Sequence, residues 1–345
     1  MVSLKENSPP RIPSLADQST RPFWSVMIPT YNSGDWLEVA LKSVLDQDPG
    51  PDRMQIAVVD DASPNKAAEA TVKRVGGGRV EFHGHDQNAG LASNWNRCLA
   101  LSRGRWVHVL HQDDFVLPGF YERLARPDKE CPAAASAFCQ FSIVDELGNW
   151  CALSKLERRT AGPLENWLGQ ISRRQAIHCP AVVVKREVYE QIGGFRDDLC
   201  FVLDWEMWVR IATKFPVWYE PTVMACYRTH DSNETSRLKS LGRTLADVHA
   251  GVEIVRRYLP LEFRGLAGSE LIDGERGRVM EEAVRLLDQG DRLGALGLVR
   301  EVCRYEPLRR FSRSVLRARS RAALMSVGEL MDSRGKRTRD ATTEA

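Results

Sequence analysis

Two stretches of the chain decide its fold, and both end in a pair of aspartates. Residues 56–61 read IAVVDD, and residues 106–114 read WVHVLHQDD. Each begins as an apolar run that is typical of a strand buried on both faces, and each stops abruptly at carboxylates. Because ligands bind beyond the carboxyl ends of parallel strands, the sequence predicts that the two aspartate pairs meet in one site.

The neighbouring segments alternate between strand and helix patterns. Residues 26–28 and 80–82 are further apolar runs, while residues 37–45 and 91–102 place apolar side chains at helical spacing. This alternation predicts an α/β fold, Rossmann-like, with a mostly parallel central sheet flanked by helices. The later segments predict strands at 134–144 and 179–184 and a helix at 203–215.

The pattern changes towards both ends of the chain. Residues 1–21 are polar and rich in proline, which predicts a flexible segment. Strand patterns stop near residue 238, so residues 22–237 are predicted to form the catalytic domain. Residues 238–332 are predicted to form an all-helical C-terminal extension, with breaks near 260, 274 and 290, and residues 333–345 a flexible tail.

Composition excludes several classes of protein. The 345 residues include 48 basic and 46 acidic residues, and this near-balance gives no overall attraction to nucleic acid. No apolar run is long enough to span a membrane, and the first residues lack the apolar core of a signal peptide, so a cytoplasmic location is expected. The eight cysteines form no CxxC pair, which favours reduced thiols over a zinc site.

Eight short pieces of the chain, spread over residues 24–235, share one feature: together and in this order they match a known family. They are VMIPTYN (26–32), VVDDAS (58–63), NAGL (88–91) with Asn96, LHQDD (110–114), VVVKRE (182–187), GGF (193–195), DWEMW (204–208) and YRTH (227–230). The ordered set resembles family 2 glycosyltransferases, which have the A-type nucleotide-sugar fold; each piece is weak alone, whereas the set is specific. The resemblance implies inverting transfer of a sugar from a nucleotide-diphosphate donor to an acceptor hydroxyl.

The resemblance implies a nucleotide site in the first half of this domain. Tyr31 would stack on the base, unless it is simply packed. Asp61 would accept a hydrogen bond from a base N–H, which favours UDP- or dTDP-sugars, while Asp60 orders the turn. The implied nucleotide-binding residues are Pro29, Thr30, Tyr31, Asp61, Asn88, Asn96 and Asp113.

The acidic pairs also predict a metal site. Four carboxylates close together repel one another, and a divalent cation held with phosphates would relieve this, although each pair could instead cap a turn. The resemblance implies Asp113, Asp114 and His230 as ligands of Mn²⁺ or Mg²⁺. His111 stands where the family often has an aspartate. It is interpreted as a ribose partner or a neutral filler in preference to a ligand, and Arg228 could contact phosphate.

Asp204 is the predicted catalytic base. An acceptor hydroxyl is a poor nucleophile, and a positioned carboxylate must take its proton. A place at the start of a helix would keep this carboxylate ionised, because the helix dipole is positive there. The alternative for Asp204 is a helix cap, and Glu206 is the second choice for the base.

The acceptor is left open as a glycan, a lipid-linked molecule or a small molecule. The basic amphipathic stretch at 304–324 could lie on the inner face of a membrane, or it could pack on its own domain. Nucleic acid is not expected as a partner, because this stretch lacks exposed aromatic residues for stacking on bases. The alternative function is a catalytically silent protein of the same fold that binds a nucleotide-sugar or a partner.

Overall fold

A computed structural model describes residues 8–16, 21–240 and 242–305. The first half of the domain alternates strands and helices in the predicted way. Its elements are β1 (Trp24–Thr30), α1 (Trp36–Leu45), β2 (Met54–Asp60), α2 (Ala67–Gly76), β3 (Glu81–Gly84), α3 (Leu91–Leu101) and β4 (Trp106–Val109).

The second half is less regular, because short strands and helices alternate with long loops. Its elements are β5 (Phe115–Val116), α4 (Phe120–Leu124), α5 (Pro127–Glu130), β6 (Ser136–Val144), β7 (Trp150–Leu153), β8 (Gly162–Pro163), α6 (Trp167–Ile171), a 3₁₀ turn (Cys179–Ala181), β9 (Val182–Lys185), α7 (Arg186–Ile192), α8 (Leu203–Ala212) and β10 (Val217–Arg228).

The strands form one mixed sheet in the order β3-β2-β1-β4-β9-β6-β10-β5. Strands β3, β2, β1 and β4 are parallel, and so are β6 and β10. Strand β9 lies antiparallel between β4 and β6. The predicted α/β class is therefore confirmed, with an antiparallel insertion in the middle of the sheet.

Helices cover both faces of this sheet, because successive residues of a buried strand point to opposite sides. Val26 and Val58 face the layer of α1, α2 and α4. Met27 and Val59 face the layer of α3, α6, α7 and α8. This two-sided burial explains why residues 26–28 of β1 and 56–59 of β2 form apolar runs without alternation.

The C-terminal extension is helical, as predicted, over its described residues. Its break near 274 is wrong, because one continuous helix passes through Gly274, whereas the breaks near 260 and 290 are present. Residues 306–345 lie outside the described residues, with nearly all of the basic stretch at 304–324. The helices are α9 (Glu234–Ser240), α10 (Thr244–Tyr258), α11 (Leu261–Arg264), α12 (Ser269–Asp288) and α13 (Arg292–Tyr305).

The predicted flexible N-terminal segment is wrong for residues 8–16. Ile12 is 5% exposed and belongs to the main core. The Gly194 N–H donates to the carbonyl of Pro10 at 2.7 Å, and the Arg186 guanidinium donates to the carbonyl of Pro13 at 3.1 Å. These contacts with the first residue of α7 and with the loop after that helix hold the segment against the catalytic domain.

Two expectations from composition can be compared with the structure. All eight cysteines are free thiols, and four of them, Cys98, Cys139, Cys179 and Cys226, are buried. In the described part of the chain, no helix combines the length and the apolar character that crossing a bilayer requires.

Gly104 allows the turn before β4 to approach β1 closely. Its N–H donates to the Ser25 hydroxyl at 2.7 Å, and a Cβ at this position would lie 2.4 Å from the Ser25 nitrogen. We expect Gly104→Ala to lower the free energy of unfolding by about 1–3 kcal/mol in urea denaturation, because the clash is with strand backbone. Gly277→Ala is the control, since no atom lies within 4 Å of its Cβ position. Equal shifts in both variants would contradict this account.

Candidate active site

Asp114 is held at the edge of the sheet by the last residue of β10. The Arg228 N–H donates to Asp114 Oδ1 at 2.8 Å. The other carboxylate oxygen, Oδ2, is buried without a hydrogen-bond partner among the described residues. Burial raises the pKa of Asp114 well above its ordinary value, and the charge of Asp113 raises it further. The Asp114 carboxylate therefore has one oxygen without a hydrogen-bond donor, in surroundings that disfavour its negative charge.

His111 completes a cluster with the two aspartates. Ligand atoms of His111, Asp113 and Asp114 all lie within 4.8 Å of one another, and His111 Nδ1 is 3.6 Å from Asp114 Oδ2. Burial lowers the pKa of His111, which keeps the imidazole neutral at neutral pH. A neutral imidazole is a competent metal ligand, so His111 can join the cluster instead of only filling space.

His230 reaches the same cluster from the loop after β10. Its Nε2 lies 3.0 Å from Asp113 Oδ2, and its Nδ1 lies 2.9 Å from the Ser232 hydroxyl. The ring also packs against Trp36 at a tilt of 40°, with 4.2 Å between centroids. Both ring nitrogens of His230 therefore have a partner, which fixes the orientation of the ring. Of the other implied ligands, His230 contacts Asp113 directly.

Arg228 has a structural task in place of the suggested phosphate contact. Its guanidinium donates to the backbone carbonyls of Asp113, Asp145 and Glu146 at 2.9–3.0 Å. The side chain is buried and ties the acidic loop to the turn between β6 and β7. It fixes where Asp113 lies.

The nucleotide side of the site begins where β1 and β2 end. The Thr30 hydroxyl donates to Asp60 at 2.9 Å, and Ser63 donates to Asp60 through its N–H and its hydroxyl. The interpretation that Asp60 orders this turn is confirmed. Pro29 and Thr30 are buried, so their side chains support the loop from below.

Tyr31 is not packed, which removes the alternative interpretation of this residue. Its ring is 46% exposed. Its backbone N–H and carbonyl form two hydrogen bonds with the Gln112 side chain, each 3.1 Å long. This pair joins the first loop to the acidic loop, so Tyr31 lies beside the cluster.

Asp61 binds the loop that contains Asn88. Its two carboxylate oxygens accept the N–H groups of Ala89 and Gly90 at 2.8 and 2.9 Å, and the Asn88 amide donates to the Asp61 carbonyl at 3.2 Å. Asp61 and Asn88 therefore lie together at the start of α3. The predicted contact of Asp61 with a base stays a prediction.

Asn96 has another role than the implied contact with nucleotide. Its amide donates to the Phe195 carbonyl and accepts the Phe195 N–H, both at 2.8 Å. Since both polar groups of the side chain pair with this backbone, Asn96 fixes the loop after α7. The neighbour that sequence analysis missed is Asn94, whose buried amide donates to the carbonyl of Val59 at 3.0 Å. A polar residue on the apolar face of α3 was the available signal.

Asp204 lies inside the first turn of α8 and is half-buried. Its Oδ1 accepts the Trp205 N–H at 2.8 Å, and its Oδ2 accepts the Gln175 amide at 2.5 Å. The N-cap position of α8 is occupied by Val202, so the alternative of Asp204 as the N-cap residue is wrong. Asp247 from α10 binds the backbone amides of Cys200, Phe201 and Val202 just before the helix.

The expectation that the helix dipole keeps Asp204 ionised is also wrong. Burial raises the pKa of Asp204 to about 7, and the hydrogen bonds from Trp205 and Gln175 oppose this only in part. A carboxylate with a pKa near the working pH is a better general base than one with the usual pKa of an aspartate, because it takes a proton more readily and is still partly ionised.

Glu206, the second choice for the base, is a structural residue. It is fully buried, and its carboxylate accepts two hydrogen bonds from Arg210 at 3.0 and 2.9 Å. The Tyr258 hydroxyl also donates to it at 3.1 Å. No proton-accepting position of Glu206 faces an open site.

Tyr227 interacts electrostatically with both Asp204 and the acidic cluster. Burial raises the pKa of this hydroxyl, and the charges of Asp114, Asp113 and Asp204 all contribute. The His178 ring stacks on Tyr227 with 4.4 Å between centroids, and burial lowers its pKa to about 4. Sequence analysis missed His178 and Gln175, which lie in a stretch where no motif marks them.

Comparison with known proteins gives a family match and a fold match. Residues 25–193 match the model described as glycosyl transferase family 2. An uncharacterised protein from Mycobacterium tuberculosis is 29% identical over 246 residues, which are 66% of this chain and 73% of that protein.

Two solved structures share the fold. TarS of S. aureus, residues 1–349 in complex with UDP-GlcNAc, superposes with a TM-score of 0.62 at 17% identity, over 81% of each chain. The mannosyltransferase PcManGT of Pyrobaculum calidifontis, in complex with GDP-Man and Mn²⁺, has a TM-score of 0.56 at 17% identity. That match covers 94% of this chain and 90% of the other.

Proposed function

Because this chain belongs to the family 2 glycosyltransferases, we propose that it is an inverting enzyme that uses a UDP- or dTDP-sugar as donor. The acceptor is a hydroxyl of a glycan, a lipid-linked molecule or a small molecule. The observation that carries the proposal is the cluster of His111, Asp113 and Asp114, whose ligand atoms lie within 4.8 Å of one another. Asp113, Asp114 and Asp204 all raise the pKa of Tyr227, which supports the proposal that one site serves the donor diphosphate and the acceptor alcohol.

The cluster of His111, Asp113 and Asp114 fits a divalent cation. The buried Asp114 oxygen lacks a donor within the described ranges, and a cation would satisfy it while relieving the repulsion between the carboxylates. His230 would join through its contact with Asp113. When bound there, Mn²⁺ or Mg²⁺ neutralises charge on the donor diphosphate.

The nucleoside would lie over the loops that follow β1 and β2. The exposed ring of Tyr31 offers a stacking surface, and the Tyr31–Gln112 pair holds it beside the acidic loop. Asp61 supports this arrangement by fixing the loop at Asn88. In the proposed complex one lone pair of the Asp61 carboxylate accepts the ring N–H of uracil or thymine.

Asp204 takes the proton of the acceptor hydroxyl. The hydroxyl oxygen forms a bond to the anomeric carbon while the bond from that carbon to the diphosphate oxygen breaks, and the electron pair leaves with the diphosphate. Attack from the face opposite the leaving group inverts the anomeric centre. The raised pKa of Asp204 supports this role, because the carboxylate then holds the transferred proton.

A nucleotide screen tests the donor. We expect UDP and dTDP with Mn²⁺ to raise the melting temperature by about 4 °C at a hundred times their Kd, and GDP and ADP to raise it less. EDTA should remove most of the shift. Equal shifts for all four nucleotides would contradict the assignment of Asp61, and no shift with any of them would contradict the donor site.

A further inference from the structure

We propose that Gln175 is a positioning residue, which holds the carboxylate of Asp204 in one orientation and stabilises its charged form. This role rests on the proposed function, because it acts through the catalytic base. Gln175 lies in the loop between α6 and the 3₁₀ turn, within the range that matches the family model but outside the eight short pieces quoted from the sequence.

The contact of Gln175 with Asp204 fixes the plane of the carboxylate. The Gln175 amide donates to Oδ2 at 2.5 Å, while the backbone N–H of Trp205 donates to Oδ1 at 2.8 Å. With one donor on each oxygen, rotation of the carboxylate would break both bonds. The remaining lone pairs then point in a fixed direction, as a base needs for proton transfer.

The helix that carries the base also holds the loop that carries Gln175. The Trp205 indole donates to the carbonyl of Ile171 at 2.8 Å, and the Trp208 indole donates to the carbonyl of Ile177 at 3.1 Å. These two bonds lie on either side of Gln175 in the chain. Asp204 and Gln175 therefore keep their relative position through contacts that do not involve either side chain.

The carbonyl end of the Gln175 amide indicates that packing alone does not determine the position of this side chain. Its Oε1 is buried and has no hydrogen-bond partner in the part of the chain that the structure describes. A buried amide that served only stability would be expected to satisfy both of its groups. The N–H end must face Asp204, because two oxygens in contact would repel each other.

The groups around Asp204 make this donor important. Among the described residues, Asp204 interacts electrostatically with Asp247 from α10, Cys179 from the 3₁₀ turn and Tyr227 from β10. All three are acids, so none of them stabilises a negative charge on Asp204. Loss of the Gln175 donor should therefore raise the pKa of Asp204 further above about 7.

The test is the pH profile of kcat/KM for Gln175→Ala. The kcat/KM of the parent should fall below about pH 7, where Asp204 becomes protonated. In the variant, this acidic limb of the profile should lie about one pH unit higher. At pH 7 the rate should fall about fivefold, and much of it should return by pH 9 because the base is then ionised again. The KM for the donor should not change.

Two further variants keep the test decisive. Gln175→Glu has the same shape and folds if alanine does not, and it should move the limb higher still because two neighbouring carboxyls share a proton. Gln170→Ala is the matched control, since Gln170 is exposed on α6 and should leave the profile unchanged. A uniform loss at every pH, or an unshifted limb in the Gln175 variants, would overturn the proposal.

The outcome for Asp204→Asn in the same assay separates this proposal from the proposed function. If that variant keeps turnover, the assignment of the base fails, whatever Gln175 does. If it is inactive while Gln175→Ala has the parent's profile, only the role of Gln175 fails.

Discussion

Asp204→Asn should lower sugar transfer by about 10²–10⁴-fold while binding of the donor survives. An amide of the same shape keeps the place of the carboxylate in the first turn of α8 but cannot accept the acceptor's proton. The measurement is turnover by release of nucleoside diphosphate in the presence of acceptor, together with a thermal-shift titration of UDP. The melting temperature should stay equal or rise, because burial disfavours the charge that this substitution removes.

Asp197→Asn is the matched control for this substitution. Asp197 lies seven positions earlier, is exposed, and should tolerate the change without loss of turnover. Glu206→Gln offers a contrast, because it breaks a buried ion pair and should act through stability. Near-normal turnover of Asp204→Asn would remove Asp204 from the role of base.

Asp113→Asn should abolish the dependence of nucleotide binding on the cation. Asp113 is more exposed than Asp114, it contacts His230, and its loop is fixed by Arg228. Loss of its charge weakens the cluster where the diphosphate would bind, and we expect activity to fall by at least about 10²-fold. The measurement is the shift in melting temperature with UDP, with and without Mn²⁺.

Asp52→Asn serves as the control, since Asp52 is exposed in the turn before β2, at the opposite edge of the sheet. It should keep the full effect of Mn²⁺. If Asp113→Asn also kept this effect, the acidic cluster would not be the cation site, and the carboxylates would have only a structural role.

The sheet could be predicted where burial alone determines the pattern. In β1 and β2 every residue is buried, so the apolar runs at residues 26–28 and 56–59 follow directly from the fold. The antiparallel position of β9 could not be predicted, because its run of valines is compatible with either direction. Only the contacts of β9 with β4 and β6 settle its direction, and they are remote in sequence.

The acidic residues of the site could be predicted from the sequence, whereas the roles of its Asn and Gln side chains could be predicted less well. Paired aspartates at strand ends are conspicuous because they interrupt apolar runs. Asn96 occupies a motif position, yet both ends of its amide bind Phe195, and no local pattern distinguishes a ligand contact from an internal one. Gln175 was missed because its importance depends on Asp204, which lies 29 positions later.

Strand β10 has a consequence for how the protein is made. Ribosomes release the chain from its N-terminus, and Arg228 follows Asp114 by 114 positions. At ordinary rates of translation the aspartates emerge on the order of ten seconds before the amide that binds them. Until then β6 lacks its parallel neighbour, and the nascent polypeptide exposes apolar strand edges. We therefore expect incomplete chains that stop before β10 to require chaperones and to show no activity.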